Sequence, residues 1–164
     1  MKFLYIGRYS VNKRLDQYIE LANRFPDHKF YHIGAGAHKL SEQGLRTSKV
    51  HILGRVDDQT KINLLKEIDA YISTSDYEGF NLPIIEAIRY KKPVFCKPIQ
   101  VHCELFGEYP IYCRTLEDFI DRLTEFINSP ILPKHELGET LLKKYTWKNS
   151  ARRLHKIILS ELKK

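Results

Sequence analysis

No stretch of this sequence is long and apolar enough to cross a bilayer. Its apolar runs are only a few residues, against the roughly 20 that a membrane span needs. The opening "MKFLYIGRYS" carries one lysine and a short apolar run that ends in Gly-Arg. That pattern reads as a strand, not as a signal peptide. Cysteine is scarce as well. Cys96, Cys103 and Cys113 contain no CxxC pair and leave an odd count, which suits reduced thiols in a cytosolic protein. No compact Cys/His ladder is present that would hold zinc. "GAGA" at 34–37 lacks the third glycine of the dinucleotide fingerprint and the Gly-Lys-Ser/Thr of a P-loop. It reads as a glycine turn at the mouth of a pocket. Aromatic and basic residues are not interleaved, and no helix-turn-helix pattern appears, so nucleic acid is set aside as a partner.

What remains is an ordered chain of one domain. The 164 residues suffice for a single core, and 43% of them are hydrophobic without low-complexity runs. The net charge of +7 favours anionic partners. A nucleoside diphosphate, an acidic membrane surface and a nucleic acid all fit that charge equally well.

Strand and helix patterns alternate along the chain. Apolar runs at 2–7, 28–34, 48–54, 69–75, 92–97 and 110–113 predict six strands. The spacing of Leu15, Tyr18, Ile19, Ala22 and Phe25 predicts a helix over 14–25. A second helix is expected at about 58–67, capped by Asp57 or Asp58. Helical patterns also occupy about 115–128, 134–144 and 147–163. Alternation of this kind predicts an α/β fold, a doubly wound, Rossmann-like parallel sheet of about six strands flanked by helices. Ligands of such sheets bind beyond the carboxyl ends of the strands. Those ends carry Gly7-Arg8, Gly34-Ala35-Gly36, Gly54-Arg55, Ser73-Thr74-Ser75 and Lys97-Pro98.

Two stretches at that rim have the chemistry of a site. In "GRYSVNKR" (7–14), Gly7 permits a tight exit from the first strand, and Arg8 and Lys13 stand ahead of a helix. Cations beside a helix N-terminus suit a diphosphate, and a solvated basic loop is the plain alternative. In "SDYEGFNLPIIEAIRYKKPV" (75–94), Pro83 fits a first helical turn with Asn81 or Leu82 near the N-cap. The amides of Phe80, Asn81 and Leu82 would then form an anion-binding end. Glu78 would stand in the loop before it, and Glu86 one turn inside could face the same crevice. A carboxylate accepts well from paired hydroxyls, but it repels a phosphate. The pair therefore suits a ligand with phosphate in the middle and sugars on either side. Alternatively, both acids simply complement the helix dipole.

These segments, with "KFYHIGAG", "VHILGRVDD" and the late "YTWKNSARRL", resemble the C-terminal half of GT-B glycosyltransferases, and most of all the retaining group called family 4. The most specific piece is E-x7-E, Glu78 to Glu86, with Gly79-Phe80 and Leu82-Pro83 between. The resemblance covers the whole chain. It implies a donor-binding domain for a nucleoside-diphosphate sugar, acting without a metal or cofactor. Arg8 and Lys13 would neutralise the diphosphate, and the amides of Phe80, Asn81 and Leu82 would hold phosphate and sugar. Glu78 would take hexose hydroxyls and Glu86 the ribose diol. Gly7 would shape the loop, and Arg55 and Val56 would lie along the base. Asp57-Asp58 reads as a cap in preference to a metal pair.

Two departures stand out. The family often has glycine where Asn81 and Lys91 stand, so Lys91 is expected at positive φ or in a reshaped turn. The resemblance also implies an acceptor-binding N-terminal domain, supplied in cis or in trans, without which this polypeptide would bind nucleotide but transfer no sugar. Glycan or lipopolysaccharide synthesis in the cytoplasm, near the inner face of a membrane, would fit such an enzyme. In the last helix Ala151, Leu154, Ile158 and Leu162 form an apolar stripe opposite Arg152, Arg153, Lys156 and Lys163. Packing on its own domain is the default for that stripe. In the family the final helix reaches back to the N-terminal domain, and contact with an acidic bilayer is a further reading. Two other functions stay open: a nucleotide or sugar-phosphate binding module without catalysis, and one chain of a two-chain glycosyltransferase.

Overall fold

The computed structural model describes residues 1–36 and 49–162. Ala37 of the glycine turn, Ser48 at the start of the expected third strand and Lys163 of the last helix lie outside them. Among the described residues six strands form one parallel sheet: β1 (Lys2–Ile6), β2 (Lys29–Ile33), β3 (Val50–Gly54), β4 (Ala70–Ser73), β5 (Val94–Cys96) and β6 (Ile111–Tyr112). Their order across the sheet is β3-β2-β1-β4-β5-β6. The chain runs outward from β1 to one edge, then returns to β4 and runs to the other. The switch point therefore lies between β1 and β4, and a crevice is expected where the loops leaving those strands diverge.

Alternate side chains of each strand enter opposite layers. Phe3 and Tyr5 pack with Tyr18, Phe30, Phe95 and Phe119 on one face, while Leu4 packs with Leu65, Tyr71, Ile84, Val94 and Phe106 on the other. Helices α1 (Leu15–Arg24) and α5 (Leu116–Asn128) supply the first layer. The second is built by α2 (Asp58–Glu67), α3 (Leu82–Arg89), α4 (Gln100–Phe106) and α6 (His135–Lys144). Strand ends fall within two residues of the expected runs, and α2 begins where expected. Asp57 is its cap, accepting from the Thr60 amide at 2.8 Å.

One helix lies where the sequence pattern assigned no element, and one expectation needs correction. The unassigned helix is α4, in the segment 98–106. It has only seven residues, and its cap, Ile99, makes no side-chain bond, so it carries none of the usual start signals. The apolar stripe of the last helix, α7 (Trp147–Glu161), does not pack on its own domain. Every residue of α7 is exposed, with Leu154 at 59% and Ile158 at 48%. Among the described residues no helix is long and apolar enough to cross a membrane.

The turn after α3 bears out the expectation at Lys91, whose φ is 55°. The Lys91 amide donates to Ile88 O at 2.9 Å and the Lys92 amide to Ala87 O at 3.0 Å. That is a Schellman cap, and it puts Lys91 at the left-handed position usually filled by glycine.

Candidate functional site

The crevice is built by two loops that are laced together. The loop after β1 leaves through Gly7, whose amide donates to Ile33 O at 2.8 Å, and Tyr9 donates to Ala35 O at 2.8 Å. Gly34 packs so tightly beneath it that a Cβ there would lie 1.9 Å from Gly7 O. Nε2 of the buried His32 donates to that same carbonyl at 2.8 Å, which leaves Nδ1 without a partner. Burial pushes the His32 pKa down, so the ring stays neutral in its supporting role.

The loop then makes a 3-10 turn, Val11–Lys13, and enters α1 through Arg14, at φ 48°. There it meets the loop after β4. Asp76 N donates to Asn12 O at 2.8 Å, and Asn12 Nδ2 to Tyr77 O at 3.0 Å. Thr74 Oγ1 donates to the Lys13 and Arg14 carbonyls at 3.0 and 2.9 Å. Tyr5 OH, from β1, adds a bond to Lys13 O at 3.2 Å. As a result Lys13 Nζ lies 2.5 Å from Glu78 Oε1, with the two side chains only 18% and 9% exposed.

Next to that pair sits a second charge cluster that the sequence reading did not single out. Asp76 lies 2.5 Å from Lys97 Nζ and 3.2 Å from Arg14 Nη1, and Arg14 also grips Asp16 at 2.8 Å. Burial works upward on Asp76, but the Lys97 and Arg14 charges outweigh it and hold the carboxyl below its ordinary range. Lys97 is itself buried. The only hint of it in sequence is a cation directly after the apolar strand β5.

Asn81 is the N-cap of α3, at φ 68°, and Pro83 follows in the first turn. Its side chain does not bond the helix. Instead Nδ2 lies 3.0 Å from both Ser73 Oγ and His102 Nε2. The amides of Phe80, Asn81 and Leu82 donate to no described residue, so they keep their capacity for an anion, favoured by the positive end of the helix dipole.

Glu86 does not share a partner with Glu78. Its Oε1 takes Lys61 Nζ, from α2, at 2.8 Å. It lines a groove of about 800 Å³ between α2, α3 and the start of α7, together with Lys61, Phe80, Leu82, Tyr145 and Trp147. Glu78 does not line that groove. Arg8 is exposed and pairs with no described acid. Gly54 (φ 68°) is tied through its carbonyl to the Gly34 amide at 2.8 Å, Arg55 is exposed, and Val56 packs at the edge of the core. The fold thus joins Lys13, Glu78 and the end of α3 at the switch point. Glu86 stands one turn further along, and Arg8, Arg55 and Val56 lie on the flanking loops.

A six-stranded, doubly wound parallel sheet flanked by helices is the architecture of one half of a GT-B glycosyltransferase. The chain belongs to the glycosyl transferases group 1 family, whose profile matches residues 1–145. It is 28% identical over 160 residues to the poly(ribitol-phosphate) alpha-N-acetylglucosaminyltransferase of Staphylococcus aureus (strain COL), covering 87% of this chain and 32% of that protein. The crystal structure of TarM superposes with a TM-score of 0.71 at 25% identity, over 97% of this chain and 34% of that one. Anabaena Alr3699/HepE, solved with UDP and glucose, gives 0.79 at 17% identity, over 97% and 48%. This chain spans less than half the length of each of these relatives.

Proposed function

We propose that this chain is the donor-binding half of a retaining, metal-independent glycosyltransferase that moves a hexosyl group from a nucleoside-diphosphate sugar to a glycan or lipid-linked acceptor. The observation that carries the reading is the meeting at the switch point of Lys13, Glu78 and the amides of Phe80, Asn81 and Leu82, which donate to no described residue. In the resting chain Lys13 satisfies Glu78. A bound donor would exchange that bond for two others, Lys13 on the diphosphate and Glu78 on the sugar hydroxyls. Glu86 takes the ribose diol, with Lys61 offsetting its charge near the phosphates. Arg8, from the exposed loop, adds a further cation.

Transfer leaves negative charge on the departing diphosphate and positive charge on the sugar. Lys13, Arg8 and the α3 N-terminus are charges and dipoles aimed at the first of these, so little has to reorganise during reaction. They take the part that a divalent cation plays in other glycosyltransferases. The exposed apolar stripe of α7 supports a two-part enzyme, with an acceptor-binding domain or second chain covering it. A binding module without catalysis is the alternative, and it predicts equal affinity for nucleotide with and without its sugar.

Calorimetry against UDP, GDP and ADP, each with and without attached sugar, tests the reading. One nucleotide is expected to bind, and its sugar to add affinity that Glu78→Ala removes. Binding of none of the three overturns it.

A further inference from the structure

A buried chain of hydrogen bonds runs behind the candidate anion site. His102, on α4, is fully buried. One ring nitrogen, Nδ1, lies 2.8 Å from Lys97 O, which only accepts. Nδ1 must therefore carry the proton, and in the neutral ring Nε2 is an acceptor. It receives Asn81 Nδ2 at 3.0 Å, and the second hydrogen of that amide goes to Ser73 Oγ, also at 3.0 Å. Tyr112 OH lies 2.7 Å from Gly107 O and 3.1 Å from His102 O, and so ties α4 to β6.

Both ends of this chain matter to the crevice. Asn81 holds a left-handed conformation, which is strained for a residue other than glycine, at the start of the helix where the amides of Phe80, Asn81 and Leu82 lie. Lys97 is the residue whose amine meets Asp76 at the rim. His102 touches neither ligand-facing group through solvent; it holds both from behind. We propose that His102 is a positioning residue, fixing Asn81 in its left-handed cap and the turn that carries Lys97 at the wall of the anion site. Its effect on diphosphate binding rests on the donor-site reading above, whereas its effect on the cap does not.

Replacing the histidine tests this. His102→Phe keeps the ring volume and removes both hydrogen bonds, while His102→Gln restores an acceptor for Asn81. Ile84 N donates to Asn81 O at 3.0 Å, so exchange of the Ile84 amide reports the cap without any ligand. His102→Phe should speed that exchange at least tenfold with core amides such as Phe95 unchanged, and His102→Gln should recover most of the protection. If UDP is the nucleotide bound, the phenylalanine variant should bind it about tenfold more weakly while keeping its affinity for uridine. Wild-type exchange at Ile84 in His102→Phe overturns the assignment, and so does an equal loss of UDP and uridine. Should the phenylalanine variant not fold, His102→Leu, which also removes both hydrogen bonds, takes its place: a tenfold acceleration at Ile84 sustains the role, and wild-type exchange overturns it. A wild-type chain that binds no nucleotide defeats the donor reading and leaves the exchange result to decide this one.

Discussion

Lys13 Nζ lies 2.5 Å from Glu78 Oε1 across the switch point, although the two residues are 65 positions apart. Each glutamate of the E-x7-E motif has its own lysine, for Lys61 stands 2.8 Å from Glu86. This removes a difficulty that two acids pose beside a phosphate. Each carboxylate is held in place by a cation of its own, which on the donor-site reading offsets charge beside the phosphates.

Because the first pair is largely buried, removing one partner leaves a charge with poor solvation. Lys13→Met and Glu78→Gln should each destabilise the chain by about 1–3 kcal/mol in urea unfolding, and the double variant by less than the sum. Strict additivity would mean that the two side chains do not interact in solution.

Lys61 gives a test on the ribose side. It occupies Oε1 of Glu86 and leaves Oε2 available to a diol. Glu86→Ala should weaken the bare nucleotide about tenfold, and Lys61→Met about three- to tenfold, as expected for one charge-assisted hydrogen bond. Calorimetric titration reads both. Tighter binding by Lys61→Met would show that the lysine competes with the ribose for Glu86 instead of orienting it.

Stability should fall on the acid side in a way that Asp76 helps to set. Its folded pKa lies below the ordinary value because of Lys97 and Arg14, so the folded state binds fewer protons there than the unfolded chain. Its contribution is therefore complete above about pH 4, the unfolded carboxyl range, and is lost as pH drops through the depressed folded value. Asp76→Asn should flatten the acid limb of a plot of Tm against pH and leave the slope near pH 7 unchanged.

The Lys91 turn offers a prediction about the backbone alone. Glycine at this left-handed position should be neutral or stabilising by up to about 1 kcal/mol, since relief of strain is partly offset by a freer unfolded chain. Lys91→Val, with its branched side chain, should cost about 1–2 kcal/mol. Thermal melts should place Lys91→Gly at or above the unaltered chain and Lys91→Val below it.

Truncation after Thr146 should leave the melting temperature within roughly 2 °C, because α7 buries none of its own residues. A large drop would mean that the stripe of Leu154 and Ile158 is covered within this chain after all.

Much of the molecule was legible because its determinants are local. Alternating apolar runs announced the parallel sheet, Asp57 and Thr60 stand three residues apart in one cap, and Asn81 and Pro83 mark the start of α3. Lys91, a lysine where the turn calls for glycine, kept its positive φ because the Schellman bonds belong to the backbone. The short helix α4 was hidden for the converse reason, since Ile99 gives no cap signal and its seven residues show too little periodicity. With α4 went His102.

The amino-acid sequence by itself determined the class of fold, and it put Lys13 and Glu78 on the two loops that meet at the rim of the sheet. Only the tertiary structure decided the charge partners: Lys13 for Glu78, Lys61 for Glu86, Lys97 and Arg14 for Asp76. It also decided that α7 stands with its apolar stripe uncovered. Propensity, capping and periodicity act within a few residues along the chain. A salt bridge between residues 13 and 78 depends on where two loops meet, and parallel strands bring those loops together only once the whole sheet is closed.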